Sequence, residues 1–305
     1  HTFFKYIDKN HPRYRYDEKL SGAIFKIYKS VDKALYSITK EIDDKTKVFL
    51  VSDHGFSPVY YAVALNKWLM EKGYLKLKST PKTLLKFLLF NLGLTYENLV
   101  KFVVRLKLFK KAQEEAYSER SVIRKILNSI MIDWTDIDWH RTKAYSQGNF
   151  GQIFINLRGR EPCGIVGQAE YDKLIDEIMM ELRNFRYKGE QVFDVIIRGK
   201  EIYKGKYAYR GPDIICLHSR SRYVVSRFLE FGSKKTITLH PIWSGTHNRQ
   251  GIFLAWDNGK EIANINGTIR AEIYDITPTI LHVFNIPVPP DMDGRVLAEI
   301  FKKSL

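Results

Sequence analysis

Apolar residues recur along the chain at two spacings, one typical of helices and one typical of short strands. In residues 20–42 they fall at helical spacing, which predicts one long amphipathic helix. The run Val48–Val51 is short and unalternating and ends in a polar loop, which predicts a buried parallel strand. The other predicted elements are strands at residues 143–146, 151–157, 191–198, 212–217 and 251–256, and helices at residues 65–73, 171–185, 276–284 and 296–301. Because strands alternate with helices, the pattern predicts an α/β sheet protein.

Residues 79–133 differ from the rest, since they are rich in Lys, Leu and Phe and carry helical patterns without a strand signal. We therefore expect a core α/β domain in two parts, residues 1–78 and 134–305, with 79–133 inserted as a helical cap. A basic amphipathic helix could instead contact a membrane surface. The apolar side chains of the segment are expected to be buried, and the basic ones to face water or an anionic partner. The apolar residues are Leu84, Leu85, Phe87, Leu88, Val103 and Leu106, and the basic residues are Lys82, Lys86, Lys101, Arg105, Lys107, Lys110 and Lys111.

The net charge is strongly positive, with 49 Lys and Arg against 34 Asp and Glu, a formal charge of +15. Such a charge attracts any polyanion, from nucleotides to phospholipid head groups. No known nucleic-acid-binding signature is visible and the basic residues are spread over most of the chain, so specific nucleic acid binding is not expected. With 45% hydrophobic residues the chain can build a substantial core, which excludes the disordered class.

Cysteine usage and the chain start bear on location. The two cysteines, Cys163 and Cys216, lie in no CxxC pair, which argues against a thiol metal cluster or a disulfide framework. A reducing, cytoplasmic location is therefore expected. No apolar run approaches the length of a membrane span. The sequence begins with His1 and not Met, so we expect the natural protein to start further upstream.

Two polar loops next to predicted strands carry candidate chemistry. Asp53 and His54 follow the first strand, and a carboxylate and an imidazole side by side can bind a divalent metal. His247 precedes the strand at 251–256 and could be a metal ligand or a capping histidine. Taken alone, each loop is better explained as ordinary polar surface. A third patterned region, residues 275–297, is explained by helix entry and a proline-rich turn, and we expect it to be structural.

The order and spacing of these pieces resemble the alkaline phosphatase superfamily, in its type I phosphodiesterase/nucleotide pyrophosphatase branch. The matching motifs are VSDHGF at 51–56, SGTHNRQGIFLA at 244–255, YDITPTILHVFNIPVP at 274–289 and DMDGRVL at 291–297. The opening HTFFKYID, with His11 and Pro12, is similar to the stretch that follows the family's D-x-x-x-H metal motif, with His1 as its histidine. The resemblance implies a three-layer alkaline-phosphatase-like core with a mostly parallel sheet and a helical insertion.

The resemblance also implies two divalent metal ions, with zinc favoured and manganese a second choice. Carried over, His1 and His247 belong to one metal site, and Asp53 and His54 to the other. The family's remaining aspartate ligands and its Thr or Ser nucleophile would lie upstream of this chain. These 305 residues alone are therefore expected to be nearly inactive.

Two arginines are candidate substrate contacts, because a guanidinium matches phosphate oxygens in pairs. They are Arg249, close to His247, and Arg160. His240, five residues before Gly245, is a weaker candidate for lining the site.

The function implied is that of a metal-dependent phosphohydrolase, which cleaves phosphodiester or pyrophosphate bonds through a two-metal phosphoryl-enzyme mechanism. The expected substrate is a phosphorylated small molecule, with nucleotides as one class. Two alternatives stay open: a phosphomutase that uses the same metals, and a non-catalytic basic module that binds nucleic acid or a membrane surface. The sequence leaves the leaving group and the oligomeric state open.

Overall fold

The computed structural model describes residues 1–105, 129–226, 231–258, 261–263 and 268–302, which form a mixed α/β structure. The α-helices in these residues are α1 (Glu18–Ser21), α2 (Ala23–Glu41), α3 (Leu65–Glu71), α4 (Pro81–Asn91), α5 (Tyr96–Arg105), α6 (Gln168–Arg183), α7 (Gly199–Ile202) and α8 (Ile276–Val283). The strands are β1 (Val48–Val51), β2 (Gly55–Pro58), β3 (Tyr61–Val63), β4 (Ala144–Ser146), β5 (Gln152–Ile155), β6 (Arg186–Tyr187), β7 (Glu190–Gln191), β8 (Val195–Arg198), β9 (Ile214–Leu217), β10 (Tyr223–Val225), β11 (Ile237–Leu239), β12 (Gly245–Asn248) and β13 (Phe253–Trp256).

The chain divides into two compact units. Unit 1 consists of His1–Asp17 and Ser57–Thr246, and unit 2 of Glu18–Phe56 and His247–Leu305. Strands β2 and β12 pair in a two-stranded ribbon where the chain passes from one unit to the other.

Unit 1 holds the large hydrophobic core. Its main sheet has the order β4-β5-β9-β8, and every neighbouring pair in it is antiparallel. Helix α6 contacts this sheet, because apolar residues spaced three and four apart, such as Leu174, Ile178 and Leu182, form one buried face. A second sheet has the order β10-β3-β11, in which β10 is parallel and β11 antiparallel to β3.

Unit 2 contains the strands that flank the candidate metal loops. Strands β1 and β13 pair antiparallel, with Val48 opposite Trp256 and Val51 opposite Phe253. Strand β1 has the predicted bounds, but the predicted parallel pairing is wrong. Neither strand is fully buried: β1 is half-buried throughout, and in β13 half-buried residues alternate with exposed ones.

The expectation of a mostly parallel sheet is wrong for the described residues. Among the described strands whose residue pairing is defined, β3 and β10 pair in parallel and the other pairs are antiparallel. The short apolar runs indicated strands correctly, but a short apolar run does not fix the direction of its neighbour. The coarser prediction, a mixed α/β protein, is confirmed.

Helix α4 corrects the predicted orientation of the segment 79–133. Its buried residues are Thr83, Lys86 and Phe90, whereas Leu84 and Leu88 are both 55% exposed. The physical reason is a polar anchor: the Lys86 ammonium donates hydrogen bonds to Asp136 at 2.7 Å and to Asp133 at 3.1 Å. These bonds hold the lysine side of the helix inward and turn the leucine side outward. Leu85 and Phe87 are exposed as well, and residues 106–128 lie outside the described part.

The C-terminal motifs of unit 2 bind one another. The backbone N–H of Arg295 donates to the Asp275 carboxylate at 3.0 Å, and that of Leu297 donates to the Thr279 hydroxyl at 3.0 Å. Asp275 and Thr279 are both buried. Their hydrogen bonds give this region the structural role that its sequence predicted.

Within the part of the chain that the structure describes, no helix combines the length and the apolar character needed to cross a membrane.

Candidate active site

Two loops of unit 2 meet because their strands run in opposite directions. The end of β1 lies beside the start of β13, so the residues that follow one strand adjoin those that precede the other. Ser52 joins the two loops: its N–H donates to the Ile252 carbonyl at 3.0 Å, and its hydroxyl accepts from the Ile252 N–H at 2.8 Å. Ser52 has no predicted role, because its one sequence signal is its place directly before Asp53.

Glycines allow these loops to approach closely. A Cβ atom on Gly55 would lie 1.8 Å from the backbone oxygen of Gln250, which is far inside van der Waals contact. A Cβ atom on Gly251 would lie 2.7 Å from the hydroxyl of Ser52. The glycines of both sequence motifs are thus explained by backbone packing.

The candidate side chains come together at this point. The imidazole rings of His54 and His247 stack, with centroids 3.8 Å apart and planes 14° from parallel. Nε2 of His54 lies 3.6 Å from a carboxylate oxygen of Asp53. Phe56 flanks the histidines, with its ring centroid 5.5 Å from that of His247. Three of the four predicted metal ligands therefore lie in one cluster, although they are almost two hundred positions apart in the sequence.

Hydrogen bonding sets the tautomer of His54. Its Nδ1 lies 2.8 Å from the Gly55 carbonyl, which can only accept, so Nδ1 carries the proton in the neutral ring. In that neutral ring Nε2 carries a lone pair and lies 3.6 Å from an oxygen of the Asp53 carboxylate, which is also an acceptor. Two acceptors at this distance repel each other unless a proton or a metal ion lies between them.

The donor chemistry of this pair fits a metal such as zinc. A carboxylate oxygen and an imidazole nitrogen that bind one tetrahedral zinc ion, each at about 2.1 Å, are roughly 3.4 Å apart. The observed separation of 3.6 Å between Asp53 and His54 is close to that value. Within the described ranges, however, no group of three or more His, Cys, Asp or Glu side chains is arranged to hold a metal ion. The fit therefore extends to a pair of ligands and not to a complete coordination shell.

The electrostatics of His247 keep its ring neutral. Burial lowers the pKa of His247, the adjacent His54 lowers it further, and the charge of Asp53 acts in the opposite direction. A neutral imidazole is the form that binds metals. His247 therefore stays a competent ligand at pH values where an ordinary histidine begins to charge.

The fourth predicted ligand, His1, belongs to unit 1. Its Nδ1 lies 2.8 Å from the Gly245 carbonyl, so Nδ1 again carries the proton and Nε2 the lone pair. Its ring lies 4.9 Å from that of Trp243, measured between centroids. A histidine whose Nδ1 proton is bound by a backbone carbonyl is the usual arrangement behind metal-binding imidazoles. Its role as a ligand stays a prediction.

Comparison with protein families identifies the chain. A family model, type I phosphodiesterase / nucleotide pyrophosphatase, matches residues 2–240, more than three quarters of the sequence. The chain belongs to this family. The match includes Asp53 and His54 and ends before His247. Comparisons with curated proteins and with solved structures gave no significant match.

Membership of the type I phosphodiesterase/nucleotide pyrophosphatase family places the protein among hydrolases that act on phosphoric ester or anhydride bonds. The resemblance based on sequence motifs is thereby confirmed. A phosphorylated small molecule is a substrate consistent with this family.

The two candidate arginines have different surroundings. Arg249 is exposed in the loop after β12. Arg160 is largely buried and donates to both carboxylate oxygens of Asp213, at 2.8 and 2.6 Å. Asp213 is thus the anion that Arg160 holds in this structure, and a phosphate contact by either arginine stays a prediction.

A cavity of about 620 Å³ adjoins Arg160 in unit 1. Its wall contains further basic groups. Arg198 bonds Asp172 and Asp176, Lys200 bonds Asp172 at 3.2 Å, and Arg158 donates to the Ile165 carbonyl at 3.4 Å.

Proposed function

We propose that the protein is a metal-dependent phosphohydrolase that cleaves phosphodiester or pyrophosphate bonds, with nucleotides as one class of substrate. The observation that carries the proposal is the cluster of Asp53, His54 and His247 on two adjoining loops. The family supplies the reaction class, and the cluster supplies donors suited to a divalent metal. A cytoplasmic location is part of the proposal and is supported by the free thiols Cys163 and Cys216.

In this proposal Asp53 and His54 bind one metal ion, and His1 and His247 bind the other. Zinc is favoured over manganese because the donors combine imidazole nitrogen with carboxylate oxygen. The 3.8 Å between the stacked rings of His54 and His247 is compatible with two sites about 4 Å apart. When bound, two divalent ions would neutralise phosphoryl oxygens, lower the pKa of the nucleophile and stabilise the leaving oxygen.

The chain's own groups prepare this site. The carbonyls of Gly55 and Gly245 hold the Nδ1 protons of His54 and His1, which presents both Nε2 lone pairs for metal binding. Arg249, exposed beside the cluster, would bind phosphoryl oxygens of the substrate. By the family resemblance the nucleophile is a Thr or Ser, and a three-layer alkaline-phosphatase-like core belongs to the same proposal.

The test uses the full natural chain and a nitrophenyl phosphodiester. Removal of metal by a chelator should abolish turnover, and added zinc should restore it. Asp53→Asn and His247→Ala should each reduce kcat/KM by about 100-fold or more, because each removes a proposed ligand. Asp32→Asn, an exposed carboxylate on α2, is the matched control and should leave activity unchanged. Full turnover by the chelated enzyme, or by Asp53→Asn, would refute the proposal.

We further propose that residues 79–133 form a helical cap that sets substrate choice. Two of its helices, α4 and α5, are described, and α4 is anchored to residues 133–136 through Lys86. A variant with this segment replaced by a short Gly-Ser linker should retain metal but change its preference among several phosphodiesters. Unchanged preference would refute the cap, and strong sedimentation of the natural chain with liposomes would favour membrane contact instead.

A further inference from the structure

A short turn in unit 1, residues 241–245, determines how His1 is held. The carbonyl of His1 accepts from the N–H of Ser244 at 2.7 Å and from that of Gly245 at 3.0 Å. The Gly245 carbonyl in return accepts from Nδ1 of His1. Backbone and ring of His1 are thus both bound by the same two residues, so a displacement of the turn would displace the imidazole.

The turn is also confined by packing. A Cβ atom on Gly245 would lie 2.2 Å from the ring of Phe4, so the aromatic ring lies directly against the glycine. The ring of Trp243 lies between two imidazoles, with centroids 4.9 Å from His1 and 5.1 Å from His240.

His240 holds the turn from one side. It is 1% exposed, and its Nδ1 accepts from the N–H of Trp243 at 2.9 Å and from that of Ile242 at 3.3 Å. Burial, and then the charge of Arg13, lower the pKa of His240 to about 3. The imidazole therefore stays neutral, with Nδ1 as an acceptor. Its Nε2 makes no hydrogen bond within the described part of the chain, so His240 binds the turn through Nδ1.

Arg13 holds the turn from the other side. Its guanidinium donates to the carbonyls of Pro241, at 3.1 Å, and of Trp243. Burial lowers the pKa of Arg13, and among the described residues it forms no ion pair with a carboxylate. Arg13 is half-buried, so its guanidinium needs hydrogen-bond acceptors in place of water, and the two carbonyls of the turn supply them.

We propose that Arg13 and His240 are positioning residues for His1: together they fix the turn 241–245, and the Gly245 carbonyl then fixes the orientation and tautomer of the His1 ring. The inference rests on the proposed function only where it treats His1 as a metal ligand. The hydrogen-bonded path itself, from Arg13 and His240 through the turn to His1, is independent of metal.

The test compares variants of the full natural chain. Arg13→Met removes both carbonyl contacts. His240→Phe keeps the ring against Trp243 but removes the acceptor, whereas His240→Asn supplies an amide oxygen near the position of Nδ1. Arg198→Met is the control, because Arg198 is a similarly shielded arginine of unit 1 whose partners are Asp172 and Asp176.

Two readouts separate positioning from general stability. Nitrogen NMR of the metal-free protein should show the Nδ1-protonated tautomer of His1 in the natural chain and a mixture in Arg13→Met and His240→Phe. Zinc titration should show one of two sites weakened by about 10- to 100-fold in those two variants, as is usual when a group behind a metal ligand is removed. His240→Asn should stay within about threefold of the natural affinity, and Arg198→Met should lower Tm without a change in zinc affinity.

The proposal is overturned if Arg13→Met keeps the His1 tautomer and the zinc affinity of the natural chain and only loses Tm, as Arg198→Met does. If Arg13→Met does not fold, the comparison of His240→Phe with His240→Asn decides, and equal behaviour of these two overturns it. If the natural chain binds no zinc, the proposed function fails, while the tautomer of His1 still tests the positioning role.

Discussion

Replacing Lys86 should destabilise unit 1 far more than replacing the leucines beside it, the reverse of what the hydrophobic pattern suggests. Lys86 is 3% exposed, and its ammonium bonds Asp136 at 2.7 Å and Asp133 at 3.1 Å. Asp136 also accepts from the hydroxyl of Thr83 at 2.9 Å and is itself 3% exposed. Lys86→Met keeps most of the side-chain volume but leaves the Asp136 carboxylate buried without its cation.

The expected magnitude follows from that unpaired charge. Removing one partner of a buried ion pair costs about 3–5 kcal/mol, because the remaining charge is no longer compensated. For a chain of this size that corresponds to a fall in Tm of roughly 10 °C. Leu88→Gln is the control: Leu88 lies two residues further along the same helix and is 55% exposed, so its replacement should change stability by about 0.5 kcal/mol or less.

The pH dependence gives a second check on the same cluster. Burial acts to raise the pKa of Asp133, but hydrogen bonds from Thr135 and Lys86 outweigh it and hold the pKa below its ordinary 3.8. Burial acts to lower the pKa of Lys86, but Asp136 and Asp133 outweigh it and hold the pKa above its ordinary 10.5. Because the pKa of Asp133 is lowered on folding, its contribution to stability is lost as pH falls below about 4. Because the pKa of Lys86 is raised on folding, its contribution is lost as pH rises above about 10.5.

The difference in Tm between the natural chain and Lys86→Met should therefore be largest between about pH 4 and pH 10 and should shrink in acid. Thermal unfolding followed by circular dichroism over this pH range measures it. If Lys86→Met and Leu88→Gln cost the same, or if Leu88→Gln costs more, the inward orientation of Lys86 is refuted.

Three further predictions concern the candidate site. Gly55→Ala should abolish activity and lower zinc content, because its Cβ atom would lie 1.8 Å from a backbone oxygen of the opposite loop. Gly167→Ala is the control: its Cβ atom would have no neighbour within 4 Å, so activity and zinc content should not change. An active Gly55→Ala would contradict the loop geometry. The imidazole of His247 should titrate below its ordinary 6.5 in NMR of the metal-free protein, since burial and a neighbouring imidazole both disfavour its charge, and a midpoint above 6.5 would count against the stacked pair. Arg249→Met should raise KM with little change in Tm. Arg160→Met should lower Tm, because it breaks the bidentate ion pair with Asp213. A raised KM with an unchanged Tm in Arg160→Met would instead indicate that Arg160 binds the substrate phosphate.

The positions of most helices and strands could be predicted from periodicity, but the pairing of the strands and its direction could not. Predicted strands at 48–51 and 251–256 correspond to β1 and β13, and the predicted helix at 171–185 to α6. The direction of pairing was missed because it depends on loop contacts such as those of Ser52, which leave no periodic signal. The short strands β2, β3 and β10 to β12 were also missed.

The orientation of α4 was missed for a different reason. Its apolar side was assigned to the core because burial of leucine is the common case. Here Asp133 and Asp136, about fifty positions away, bind Lys86 and turn the Lys86 side of the helix toward the core. A long-range ion pair of this kind cannot be seen in a local pattern, although the capping box that Asp133 and Asp136 form between themselves is visible as a spacing of three.

Three of the candidate ligands, Asp53, His54 and His247, lie together although the predicted strand direction is wrong. In parallel sheets, functional residues gather because the carboxyl ends of several strands share one edge. In this structure the same convergence arises from an antiparallel pair, in which the end of β1 adjoins the start of β13, so Asp53 and His54 still meet His247. What the motifs encode is therefore contact between two loops, and the Cβ-free backbones of Gly55 and Gly251 make that contact possible. Because burial and the adjacent His54 lower the pKa of His247, its imidazole stays neutral at pH values where an ordinary histidine begins to charge, and a neutral imidazole is the form that binds a metal ion.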